Sequence, residues 1–169
     1  MRYRLSTIAP LACAIALPAS AQVRTSGYDL PADLAVEAAS AAVHACADNR
    51  YRVSAAVVDP SGELKAFIKG DHSTTHTRET AFRKAYTQVT MGPIFGFDAL
   101  SRWVEALRGN PNAPSFLTVP NIILLSGAVA IKAKGEIVAA IGVGGAPGGD
   151  KDEVCAAAGL AAIQDRLPQ

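Results

Sequence analysis

The sequence has few aromatic residues and almost no net charge. Aromatic residues make up 6% of the 169 residues, and 16 lysines and arginines stand against 15 aspartates and glutamates. This balance provides neither a basic footprint for nucleic acid nor a polybasic patch for a membrane surface. Hydrophobic residues make up 50% of the chain, which is enough for one compact domain and excludes a disordered or fibrous chain.

A hydrophobic run long enough to span a membrane is lacking near the N-terminus. The apolar stretch of residues 5–18 follows two arginines, and it is shorter than the roughly 20 residues that a spanning helix needs. Residues 19–21 read Ala-Ser-Ala, the pattern of a signal-peptide cleavage site. The sequence therefore predicts a signal peptide over residues 1–21, cleaved near Ala21-Gln22, and a single domain over residues 22–169 that is periplasmic or secreted without membrane insertion.

Cysteine is scarce, and its number changes on export. Removing 21 of the 169 residues leaves 148 residues, with 14 basic residues against 15 acidic ones and therefore a net charge of −1. Of the three cysteines, Cys46 and Cys155 remain. An even pair in an oxidising compartment predicts a disulfide, and two buried free thiols are the alternative.

Hydrophobic spacing predicts the order of helices and strands. Predicted helices cover residues 31–47, 76–91 (ended by Gly92-Pro93) and 98–108, and a last helix runs from a capping box formed by Asp150 and Glu153 to about residue 167. Predicted strands cover residues 52–58, 63–69, 122–125, 128–133 and 136–143. Hairpin-type connections favour an α+β fold with a mostly antiparallel five-stranded sheet covered by helices.

The middle helix carries the densest set of polar side chains. His72, His76, Thr80, Arg83 and Thr87 share one helical face if the helix reaches back to residue 72, and Lys84 lies one step around. A solvated helix face is the simplest interpretation of this pattern.

The two histidines of this face also allow a metal site. A spacing of four residues places two imidazoles on one divalent metal, with Asp71 or Glu79 as a third ligand. No His-Glu-x-x-His motif is present, so no metalloprotease mechanism follows. No Cys-x-x-Cys-His motif is present either, which excludes covalent haem attachment of the c type.

A glycine-rich run at residues 142–149 resembles a dinucleotide-binding loop superficially. Pro147 stands where the third glycine of that fingerprint belongs, and no second strand follows to complete a βαβ unit. We therefore interpret the run as a structural turn from strand to helix, whose N–H groups can serve a carboxylate.

Several segments together carry a family resemblance. They are Val57-Val58-Asp59 with Gly62, Lys84-Ala85-Tyr86-Thr87, Gly135 to Val138, Ala140 to Val143, Gly145 to Gly149 and Asp152 to Leu160. In order and spacing they resemble the GlcG/HbpS haem-binding family, which includes the C-terminal domain of PduO proteins, over nearly all of the mature chain. The chain departs from the family's usual Gly-Gly-x-Pro-Ile stretch at residues 126–131, which read Ser-Gly-Ala-Val-Ala-Ile.

The resemblance implies a profilin-like five-stranded antiparallel sheet with the N- and C-terminal helices packed together and a central helical segment. It also implies homo-oligomers and non-covalent binding of haem or corrinoid, or a part in haem breakdown. Haem needs an axial donor, an apolar slot and cations for its propionates. The candidates are His76 or His72 for iron, Phe82 and Tyr86 for the ring, Arg83 and Lys84 for the propionates, and Thr87, with Met91 as a weaker donor.

Two other functions remain open at this point. One is a small-molecule catabolic enzyme that uses Lys84 and Thr87, and the other is a non-catalytic oligomeric assembly module. Whether the protein is an enzyme is left undecided by the sequence.

Overall fold

The structure, a computed structural model, describes residues 27–169, so the predicted signal peptide lies outside it. The helices are α1 (Ala32–Asp48), α2 (Thr77–Phe95), α3 (Leu100–Ala106), α4 (Ala113–Phe116) and α5 (Gly149–Ala161), followed by a 3-10 turn (Gln164–Arg166). The strands are β1 (Ser54–Val58), β2 (Leu64–Lys69), β3 (Ala128–Ala133) and β4 (Glu136–Gly144).

The strands form one antiparallel sheet in the order β2-β1-β4-β3. Lys134 and Gly135 join β3 to β4, and both have positive φ, at 51° and 77°, as a two-residue type I′ turn requires. In the β1–β2 turn, Oδ1 of Asp59 accepts hydrogen bonds from the backbone N–H groups of Ser61 and Glu63. The two predicted hairpins are therefore confirmed.

The predicted fifth strand, residues 122–125, is wrong, because this segment is not a strand and the sheet has four strands. Its backbone is satisfied by α2 side chains rather than by a neighbouring strand. Nη2 of Arg83 donates to the carbonyl of Ile122 at 2.6 Å, and the N–H of Ile123 donates to Oγ1 of Thr87 at 2.9 Å. Buried backbone groups need partners, and side chains provide them here.

Helices cover both faces of the sheet. Val57 and Ile141 point into the core shared with α1 and α5, whereas the neighbouring Val58 and Ala140 pack against α2, as the alternation of side chains along a strand requires. A Cβ at Gly142 would lie 2.4 Å from the carbonyl oxygen of Ala81. Helix α2 therefore lies directly against the backbone of the central strand β4.

The first and last long helices pack together, as expected. Cys46 of α1 and Cys155 of α5 form a disulfide with their Cα atoms 5.5 Å apart. A Cβ at Gly159 of α5 would lie 2.5 Å from the carbonyl oxygen of Ala38, so the two backbones approach closely. The predicted disulfide is therefore confirmed, and the alternative of two free thiols is wrong.

The two ends of α2 differ from those expected. Helix α2 begins at Thr77, and His72 has a left-handed φ of 62°, so His72 is not on the helical face with His76. Pro93 does not end α2, which continues to Phe95 and stops at Gly96 with a φ of 70°. A proline removes one helical hydrogen bond, and the left-handed glycine is the C-terminal signal used here.

The predicted capping box at the start of α5 is also wrong. The N-cap is Gly148 with no side-chain cap hydrogen bond, and the Glu153 carboxylate accepts hydrogen bonds from Ser101 and Gly127 instead. None of the helices between residues 27 and 169 has the length and apolar character to cross a membrane.

Candidate functional site

A cleft of about 530 Å³ opens between the start of α2, the segment at residues 124–126, and the glycine-rich loop that leads into α5. We call it the His76 cleft. Its side-chain lining includes His76, Thr80 and Lys84 from the α2 region, Val104 from α3, and Leu124, Leu125 and Asp152. The volume is in the range of pockets for small molecules and cofactors.

His76 lies at the residue before α2 and is exposed. Its Nδ1 is 3.1 Å from Oγ1 of Thr74, and a hydrogen bond on one ring nitrogen selects the tautomer available at the other. When Nδ1 carries the proton and donates it to Thr74, Nε2 presents its lone pair. The ring is then an oriented neutral donor of the kind that binds metals.

The outer wall of the cleft is apolar and is held by α2. Val104, Leu124 and Leu125 supply its hydrocarbon surface, and Leu125 is 51% exposed. Arg83 and Thr87 lie behind this wall and bind the backbone of the segment just before it. The Nε–H of Arg83 is buried without a hydrogen-bond partner among the described residues, which is uncommon for such a donor.

The floor of the cleft contains a buried ion pair. Nζ of Lys84 lies 2.6 Å from Oδ2 of Asp152 and donates to the carbonyl of Val143 at 3.0 Å, while Oδ1 of Asp152 accepts from the N–H of Ala146 at 2.9 Å. The two side chains are 4% and 3% exposed. Burial raises the pKa of the Asp152 carboxyl above its ordinary range, and the charge and hydrogen bond of Lys84 oppose that rise. The ammonium group of Lys84 therefore links α2 to Asp152 and Val143 and is not a free cation.

The predicted site residues fall into four places. His76 and Lys84 line the cleft, and Arg83 and Thr87 lie behind its wall. Tyr86 packs against Phe82, with ring centroids 5.8 Å apart, and against Gly62. His72 is exposed on the turn before α2.

The predicted divalent-metal set is not assembled. Within residues 27–169 no three histidine, cysteine, aspartate or glutamate side chains come close enough to hold a metal ion. The reason is local: the left-handed turn at His72 breaks the four-residue helical spacing on which the set with His76 depends.

Sequence reasoning did not single out Asp152, which lines the cleft and pairs with Lys84, as part of the site. The signal for Asp152 was a lysine on a helix that must be buried against a sheet, because a buried ammonium group requires a carboxylate. The glycine-rich loop does serve a carboxylate, as its sequence allowed, but the carboxylate belongs to Asp152 of the same chain.

The fold and the cleft define a class of protein: a small three-layer α+β domain whose cleft is lined by a histidine and by apolar side chains. Over residues 30–161 the chain matches the family of haem-degrading HbpS-like proteins, and it belongs to that family. The resemblance found in the sequence is thus confirmed, and membership suggests haem binding.

Solved structures support this assignment. A double mutant of HbpS from Streptomyces reticuli is 33% identical, with a TM-score of 0.73 over 91% of this chain and 99% of that chain. A further HbpS structure is 35% identical, with a TM-score of 0.73 over 87% and 99%. A complex of PduOC with haem is similar in fold at 20% identity, with a TM-score of 0.70 over 80% and 96%. No curated protein matches the chain significantly.

Proposed function

We propose that the protein binds haem non-covalently in the His76 cleft. The observation that carries the proposal is the imidazole of His76, whose Nδ1 lies within hydrogen-bond distance of Thr74, at a cleft of about 530 Å³ that Val104, Leu124 and Leu125 line with apolar surface. Two facts add support: the chain belongs to a haem-degrading family, and a neighbour of the same fold was solved with haem.

The residues of the cleft fit two of the three chemical needs of haem, the axial donor and the apolar surface. His76 would hold the iron through Nε2, and Val104, Leu124 and Leu125 would exclude water from one face of the ring. Bound haem supplies the iron and its redox chemistry. Lys84 and Arg83 are committed to Asp152 and Ile122, so their contribution is to hold the walls in place.

A titration of the purified protein with hemin tests the proposal. We expect a saturable shift of the Soret band at micromolar protein, and the spectrum of His76→Ala should differ from that of wild type because an axial nitrogen ligand is lost. The matched control is His72→Asn, since asparagine tolerates the left-handed backbone of residue 72. It should bind as wild type does. No Soret shift in wild type would overturn the proposal, and an unchanged His76→Ala spectrum would remove His76 as the ligand.

The alternative of an enzyme that uses Lys84 and Thr87 has less support. The Lys84 ammonium binds Asp152 and Val143, and the Thr87 hydroxyl donates to the carbonyl of Arg83 while accepting from Ile123. Neither group is available as a nucleophile or base in this arrangement. The assembly-module alternative predicts that hemin causes no spectral change at all.

We further infer that the protein is exported and homo-oligomeric, and that it acts in haem scavenging, storage, sensing or degradation. A buried disulfide is typical of oxidising compartments. Exposed apolar side chains such as Ile94, Phe95 and Leu117 are suited to contacts between subunits. The intact mass of the exported protein should correspond to a chain beginning at Gln22, and light scattering should give a mass above that of one chain.

A further inference from the structure

Glu153, the fifth residue of α5, accepts three hydrogen bonds from two other parts of the chain. Oε2 accepts from the backbone N–H of Ser101 at 3.0 Å and from that of Gly127 at 3.2 Å, and Oε1 accepts from the Ser101 hydroxyl. Charged acceptors form the stronger hydrogen bonds in proteins. One side chain thus connects α5 to α3 and to the start of β3.

Both partners of Glu153 are directly attached to the apolar wall of the His76 cleft. Ser101 lies three residues before Val104 on α3, and therefore on the same side of that helix. Gly127 follows Ser126 and closes the segment of residues 124–126. The hydrogen bonds of Glu153 to Ser101 and Gly127 therefore set the position of the wall relative to α5.

Gly127 has little freedom to adopt another position. Its φ is 126°, and a Cβ there would lie 2.7 Å from Cβ of Asp152 and 2.8 Å from Nζ of Lys84. Its carbonyl oxygen also accepts from the N–H of Val143 at 2.9 Å. Gly127 is thus packed against the buried ion pair on one side and hydrogen-bonded to Glu153 on another.

We propose that Glu153 is a positioning residue of the His76 cleft, which holds the wall of Val104, Leu124 and Leu125 at a fixed distance from His76. Asp152 holds α2 and the glycine-rich loop through Lys84 and Ala146, and Glu153 holds the facing wall. Two consecutive residues near the start of α5 therefore fix both sides of the cleft. That the ligand placed between them is haem rests on the proposed function.

Two substitutions of Glu153 separate positioning from loss of charge. Glu153→Ala removes all three hydrogen bonds. Glu153→Gln keeps one carbonyl oxygen for the two backbone N–H groups, and its amide can donate to the Ser101 hydroxyl, which also accepts. Glu105→Ala is the matched control, because it removes an exposed carboxylate of α3 that pairs with Arg108.

Hydrogen exchange of the protein without ligand measures the wall itself. In Glu153→Ala we expect the amides of residues 101–104 and 122–127 to lose protection, while those of β1 and α1 keep it. Protection should return in Glu153→Gln and stay unchanged in Glu105→Ala. Unchanged exchange in Glu153→Ala would overturn the proposal, and so would a uniform loss of protection that glutamine fails to restore.

A hemin titration of the same variants measures the consequence for the ligand. Affinity in Glu153→Ala should fall about tenfold or more, as expected for lost hydrogen bonds to a charged group, with a shifted Soret maximum, and Glu153→Gln should restore both. Wild-type affinity in Glu153→Ala would overturn the positioning role. Absence of binding in wild type would overturn the proposed function, and the exchange measurement would still decide the role of Glu153.

Discussion

At the scale of single residues, the pair of Lys84 and Asp152 has the largest expected effect on stability. Both side chains are almost fully buried, and each would leave an uncompensated charge if its partner were removed. Breaking such a pair typically costs about 3–5 kcal/mol. Burial raises the pKa of Asp152, and this shift favours the neutral form of its carboxyl.

We predict that Lys84→Met destabilises the protein more at pH 8 than at pH 5. Without the opposing ammonium, burial holds the folded-state pKa of Asp152 above the unfolded value of about 3.9. The folded state then binds more protons than the unfolded state, so stability falls as pH rises from the unfolded pKa through the folded pKa. Urea unfolding at the two pH values measures this difference.

The control for this prediction is the double variant Lys84→Met/Asp152→Asn. Asparagine cannot titrate but can still accept from the N–H of Ala146. Its stability deficit should be the same at pH 5 and pH 8. An equal deficit at both pH values in Lys84→Met itself would contradict the prediction.

The polar face of the middle helix shows what residue spacing can predict. Helical spacing placed His76 and Thr80 on one face with Arg83 and Thr87, and Lys84 one step around. His76, Thr80 and Lys84 line the cleft, whereas Arg83 and Thr87 bind the backbone behind its wall. Helical spacing failed for His72, because a left-handed residue before the helix is decided by the turn and not by hydrophobic periodicity. It also gave no information on Glu153, since the partners of that carboxylate are 52 and 26 residues away in sequence.

At the scale of elements, the hairpins and long helices could be predicted because their signals are local. The turn at Lys134-Gly135 and the apolar stripe of α1 each identify their element without reference to the rest of the chain. The segment at residues 122–125 has a strand-like composition, yet its backbone binds Arg83 and Thr87. An apolar composition indicates that such a segment packs against the core, but it does not indicate which groups form hydrogen bonds with its backbone.

The contact of the C-terminal turn with α1 gives a prediction at this scale. Nη2 of Arg166 donates to Oε1 of Glu37 at 2.6 Å and to the carbonyl of Ala162 at 2.9 Å. The hydrogen bond from Arg166 holds the pKa of Glu37 below its ordinary value, and desolvation opposes this effect. The pair is exposed, so its effect on stability is expected to be small and sensitive to salt.

We predict that Glu37→Gln lowers the thermal midpoint at pH 7 and that the gap closes at acidic pH. A folded pKa below the unfolded value of about 4.3 stabilises the folded state above that pH, and the contribution is lost as pH falls through the folded pKa. Glu63→Gln is a control, since the Glu63 side chain makes no ion pair within residues 27–169. A gap of the same size at pH 3 and pH 7 would contradict the prediction.

At the scale of the whole molecule, the small residues noted in the composition permit close packing of three layers. Gly142 allows α2 to approach β4, and Gly159 allows α5 to approach α1. Interiors in which backbones approach this closely tolerate little added side-chain volume. The position of α5 is therefore set by α1 on one side and by the contacts of Asp152 and Glu153 on the other.

The disulfide between Cys46 and Cys155 is expected to stabilise the fold without setting the shape of the cleft. It joins residues 109 apart in sequence, and restricting the unfolded chain over such a loop contributes at most about 4–5 kcal/mol in the chain-entropy model. At about 2–4 °C per kcal/mol for a domain of this size, the double variant Cys46→Ala/Cys155→Ala should show a clearly lower thermal midpoint. Its affinity for hemin should stay near that of wild type, because Asp152 and Glu153 of α5 keep their hydrogen bonds to Lys84, Ala146, Ser101 and Gly127. Titratable thiols in the denatured, unreduced wild type would contradict the stabilising role, and so would an unchanged midpoint in the double variant. A parallel loss of hemin affinity would show that the cross-link, rather than Asp152 and Glu153, holds α5 against the cleft.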